Sequence, residues 1–71
     1  MNILDVFGKN LRKYRTNLGL SQEKFAEMCD LHRTYISDVE RGQRSISLGN
    51  VQKMADALKI EPYKLFIEEL K

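Results

Sequence analysis

Apolar residues at Leu4, Phe7, Leu11, Tyr14 and Leu18 recur at three- and four-residue intervals, separated by polar and charged side chains. That spacing lines one stripe of an amphipathic first helix, with Gly19 as its C-terminal stop. Ser21 suits the N-cap of a second helix that turns Phe25, Ala26 and Cys29 inward. A break follows at Asp30-Leu31-His32, without the glycine commonest in such turns. A third helix is predicted from about Arg33 to Arg41, burying Ile36 and Val39 and ended by Gly42. Gln43-Arg44-Ser45-Ile46 reads as a loop anchored by Ile46, after which Ser47 caps a fourth helix. The inner stripe of that helix is Val51, Ala55 and Leu58, with Leu48 at its start. Ile60-Glu61-Pro62 opens a fifth helix, since proline tolerates the first helical turn. Leu65, Phe66 and Leu70 give it an apolar side, with Leu65 and Phe66 turned inward. No segment suggests a strand, and no repeat or linker divides the chain. The expectation is one all-α domain over residues 1–71, a compact five-helix bundle.

Composition narrows the chemistry. At 71 residues a single core is only marginally sufficient, which favours self-association. The lone Cys29 excludes an internal disulfide and a cysteine zinc cluster, and points to a reducing compartment. No signal-peptide pattern and no run of roughly 18 apolar residues is present, so a cytoplasmic protein without a membrane partner is expected. Catalysis has little to work with. Cys29 lies on an inner stripe, His32 lacks an orienting carboxylate in its own turn, and Glu23 and Glu27 have the spacing of a solvated helix face. No glycine-rich phosphate loop exists, so no catalytic residue, metal or cofactor is assigned.

The formal charge of +2 is modest, but its distribution is uneven. Residues 1–20 hold Lys9, Arg12, Lys13 and Arg15 against Asp5, and residues 33–44 hold Arg33, Arg41 and Arg44 against Asp38 and Glu40. The tail from Asp56 onward leans acidic. A basic front and an acidic back suit a protein that meets phosphate on one side. The third helix sharpens this: Arg33, Thr34, Tyr35, Ser37 and Asp38 form one polar face, as a helix entering a DNA major groove requires.

The run His32-Arg33-Thr34-Tyr35-Ile36-Ser37-Asp38-Val39-Glu40-Arg41-Gly42, followed by Arg44, Ser45 and Ser47-Leu48, resembles the phage Cro/CI-type helix-turn-helix repressors, the xenobiotic-response-element family. Within that family it is similar to restriction–modification controller proteins, which usually read Asp-Arg-Thr-Tyr-Ile-Ser-Gly-Ile-Glu-Arg. The resemblance extends from Phe7 to Phe66, with the helix-turn-helix at about residues 21–42. His32 replaces the acid and Asp38 the glycine, and both departures bear on which bases are read.

The resemblance implies base contacts from His32, Arg33, Thr34, Ser37 and Asp38, and residue chemistry permits them. Arg33 can fork onto guanine O6 and N7, or take a phosphate. Thr34 offers a methyl for thymine and a hydroxyl; Ser37 can touch base or backbone. Asp38 can accept from cytosine N4, or reject wrong sequences by repulsion. Gln22, Tyr35, Arg41, Gln43, Arg44, Ser45 and Asn50 are the implied backbone contacts. For Gln22 the alternatives are a brace for the recognition helix or plain surface, and for Tyr35 a cover on the core edge. Arg15 and Glu40 are expected to form a partly buried salt bridge between the first and third helices.

Met54, Tyr63, Ile67 and Leu70 look partly outward and suggest a two-fold seam centred on the last helix, about residues 62–70. A homodimer would set two recognition helices about 34 Å apart on a palindromic operator. The expected function is a sequence-specific, autoregulatory transcriptional regulator, of a restriction–modification operon in the controller reading. Bound over a promoter it represses; bound upstream it can touch RNA polymerase and activate. The alternative is a DNA-binding antitoxin or a helical protein-interaction module.

Overall fold

Asn2, Ser21, His32 and Ser47 each start an α-helix by the same device. Each side chain accepts a hydrogen bond from a first-turn backbone N–H that has no partner within the helix. The computed structural model describes residues 1–68. Its helices are α1 (Ile3–Asn17), α2 (Gln22–Cys29), α3 (Arg33–Glu40) and α4 (Leu48–Leu58), followed by a short 3₁₀ helix at Pro62–Phe66. No strand occurs among the described residues.

The four α-helices also end alike. Gly19, Asp30, Gly42 and Lys59 take the left-handed conformation, with φ of 72°, 57°, 72° and 59°. The N–H of the next residue then reaches back to a carbonyl five positions earlier: Leu20 to Arg15, Leu31 to Ala26, Gln43 to Asp38 and Ile60 to Ala55. This explains how the α2–α3 turn manages without glycine: Asp30 adopts the required conformation itself. Leu20, Leu31 and Ile60 pack against the core as such post-helix residues commonly do. Gln43, after α3, is polar and exposed.

Phe7, Leu11, Phe25, Ile36, Val39, Met54 and Leu65 fill the centre, each less than 2% exposed. α1 crosses α3 closely at Gly8, where an added Cβ would collide with the carbonyl oxygens of Val39 and Glu40. Ile46 anchors its loop against the same core.

Several expectations need correction. The fifth element is a five-residue 3₁₀ helix and not an α-helix running to residue 70. Glu61 supplies no side-chain cap, and Ile67 is already extended. The Asn10 side-chain amide takes the carbonyls of Leu65 (3.0 Å) and Ile67 (2.9 Å), tying this segment to α1. Leu70 lies outside the described residues. Met54, expected near the seam, is wholly buried, because it completes the Val51–Leu58 stripe at helical spacing. Leu18 is 56% exposed, since α1 ends before it and it becomes the C-cap. Leu48 is 83% exposed: it begins α4 about two turns before Ala55, beyond the helices that cover the stripe. Phe66 is half-exposed, with its ring tilted against Phe7 at a 5.2 Å centroid separation.

Candidate nucleic-acid interface

With Ile36 and Val39 held inward, a helical step of about 100° per residue fixes the opposite side of α3. That side is centred on Thr34, Ser37 and Asp38, with Arg33 on one flank and Tyr35 on the other. Arg33 and Thr34 are exposed, while Tyr35, Ser37 and Asp38 are half-buried. The Arg33 side chain forms no hydrogen bond or ion pair among the described residues, so its guanidinium is available to a ligand.

The helix is braced on both flanks. On one, the Glu40 carboxylate receives Arg15 Nε at 2.6 Å, Arg15 Nη2 at 3.0 Å and Gln22 Nε2 at 3.0 Å. Arg15 Nη1 also donates to the carbonyl of Leu20 at 2.7 Å. Side-chain exposures of 9% for Arg15 and 4% for Glu40 make this a buried, forked pair joining α1, α2 and α3. On the other flank, Asn50 Nδ2 donates to the Tyr35 hydroxyl at 3.0 Å, linking α4 to α3. The Arg44 guanidinium lies 4.9 Å from the Tyr35 ring centroid, over its face.

A pair of buttressed helices, the second presenting polar side chains outward, is the geometry of a major-groove reader. The family model described as Helix-turn-helix matches residues 11–65. The chain belongs to the helix-turn-helix family. It is 51% identical over 65 residues to Control protein C.BamHI of Bacillus amyloliquefaciens, covering 90% of this chain and 80% of that one. It is 41% identical to Control protein C.SmaI of Serratia marcescens over 97% of this chain and 82% of the relative. The crystal structure of the restriction–modification controller protein C.AhdI from Aeromonas hydrophila superposes with a TM-score of 0.87 at 54% identity, covering 89% of this chain and 96% of that one. The protein is thus a helix-turn-helix regulator similar to restriction–modification controllers, a DNA-binding family and not an enzyme class.

Within this helix-turn-helix frame, several side chains expected on the duplex already have partners in the protein. Gln22 braces Glu40, Asn50 holds Tyr35, and Asp38 is paired with Arg41 at 2.6 Å and Arg44 at 3.5 Å. His32 caps α3: Thr34 N–H donates to its Nδ1 at 3.1 Å. Gln43, Arg44 and Ser45 lie exposed in the loop that follows. Sequence reasoning missed Gly8 and Asn10. A glycine inside an amphipathic helix is a readable sign of close packing, but a partly buried asparagine joining segments 55 and 57 residues away left no signal.

Burial pushes the Cys29 thiol up to about 11 against an opposing pull from Lys53, so it stays protonated near neutrality. Among the described residues no three His, Cys, Asp or Glu side chains converge as a metal site. No described helix is long and apolar enough to cross a membrane.

Proposed function

We propose that this protein regulates transcription by binding, as a homodimer, a palindromic operator in the DNA that governs its own gene, and that the controlled genes are a restriction–modification operon. The observation that carries the reading is the outward face of α3, where an unpartnered Arg33 stands beside Thr34 and Ser37 on a helix locked by the Arg15–Glu40–Gln22 and Asn50–Tyr35 bonds. Arg33 reads guanine, Thr34 and Ser37 contact neighbouring base edges, and His32 lies at the groove edge as the helix cap. Arg41, Gln43, Arg44 and Ser45 meet the backbone and hold the protein against the duplex. Gln22 and Asn50 act through Glu40 and Tyr35. Tyr63 and Ile67, exposed after α4, supply the two-fold seam. The protein works in the cytoplasm, on prokaryotic or phage DNA. Occupancy over the promoter represses, and occupancy upstream lets it touch RNA polymerase.

Fluorescence anisotropy at about 0.15 M salt, comparing DNA upstream of its gene with a scrambled duplex, tests this. A preference of roughly a thousandfold is expected. Equal, weak binding to both duplexes would overturn autoregulation.

A further inference from the structure

Asp38 stands on the side of α3 assigned to the duplex, where a carboxylate repels phosphate. Its two oxygens are held by different arginines: Arg41 Nη2 donates to Oδ1 at 2.6 Å and Arg44 Nη1 to Oδ2 at 3.5 Å. The arginine side chains remain 59% and 50% exposed, whereas that of Asp38 is 23% exposed. Arg44 is steadied from behind by the Tyr35 ring, and Tyr35 by Asn50. The carboxylate therefore compensates one of two positive charges and fixes the direction in which both guanidinium groups point.

We propose that Asp38 is a specificity-determining residue, a clamp that converts Arg41 and Arg44 from register-independent phosphate binders into register-dependent ones. The proposal rests on the DNA-binding reading above. An arginine carries five N–H donors, and each of these commits one to Asp38. The remaining donors can take a phosphate without opening the clamp, but only where the duplex presents one in line with them. At the register set by base contacts from Arg33, Thr34 and Ser37, the clamp stays closed. On random sequence, binding comes almost wholly from phosphate attraction. Phosphates out of line must pull the arginines away, which strands the carboxylate against the duplex. The clamp thus weakens binding where no base contact compensates.

The test uses the full chain carrying D38N, R41Q/R44Q, or all three substitutions, titrated onto a labelled mixed-sequence duplex over a salt series. D38S serves as a second variant if circular dichroism shows D38N misfolded. D38N is expected to bind the mixed duplex roughly tenfold more tightly at low salt, with a log–log salt slope steeper by about one. Its preference for the upstream duplex should fall. In the R41Q/R44Q background, D38N should change affinity by no more than about twofold. An equal gain in both backgrounds would reduce Asp38 to a simple repulsive charge and overturn the clamp, as would no gain in either. If wild type and D38N both fail to bind any duplex, the DNA-binding reading falls with it.

Discussion

Glu40 shows how one side chain can set the pose of a whole recognition surface. Its carboxylate gathers donors from α1 and α2 while its backbone closes α3, so the helix cannot tilt without breaking a buried ionic fork. Glu40→Ala would leave the Arg15 guanidinium buried and uncompensated. The expected loss is about 3–5 kcal/mol in urea denaturation; a change within the range of an exposed pair would mean that water reaches Arg15. Cys29 gives a second residue-scale expectation. With its thiol held up to about 11 in the fold, iodoacetamide near pH 8 should label it slowly in native protein and quickly in urea. Because burial disfavours the thiolate, its contribution to stability is complete below the thiol's ordinary value of 9.0 and is lost as pH rises toward about 11.

At the scale of elements, helix ends and helix crossings decide the arrangement. Asp30 and Lys59 occupy left-handed positions that glycine fills after α1 and α3. The Lys59 side chain forms no hydrogen bond or ion pair among the described residues to reward this, so Lys59→Gly should stabilise by about 0.5–1 kcal/mol, read as a higher Tm. The α1–α3 crossing works in the opposite sense. A methyl at Gly8 would press on the backbone carbonyls of Val39 and Glu40, and neither belongs to a side chain that can swing away. Gly8→Ala is expected to cost about 1–3 kcal/mol and, by displacing α3, to weaken operator binding more than random-duplex binding. Equal losses on both duplexes would show that the displacement does not reach the reading face.

For the whole molecule, the exposed apolar residues that bear on assembly lie on the last described segment. Tyr63 and Ile67 are 61% and 49% exposed on the segment tethered by Asn10. An acid at the centre of a two-fold seam meets its own copy, so repulsion is doubled by symmetry. Ile67→Asp should shift sedimentation from dimer to monomer and weaken operator binding, with helix content unchanged. An unaltered sedimentation coefficient would place the seam elsewhere.

Much of this was legible in the chain because it depends on local periodicity. The stripes of α1 to α4, the caps at Ser21 and Ser47, the stops at Gly19 and Gly42, and the polar face from Arg33 to Asp38 all follow from spacing and side-chain chemistry within a few residues. The Arg15–Glu40 pairing was legible as a resemblance, not as a local rule. Tertiary structure alone decided what depends on partners distant in sequence. Met54 went to the core and Leu48 to solvent because burial depends on what covers a helix stripe, not on the stripe alone. The last segment became a 3₁₀ helix followed by an extended residue, with Asn10 of α1 binding its carbonyls across 55 and 57 positions. Asp38 met Arg41 at the three-residue spacing of the helix itself, whereas Arg44 reached it because the chain turns after α3 and brings the loop back over the helix it has just left. Hydrophobic spacing is a property of one helix, whereas a tether or a buried fork exists only once separate segments have been packed together.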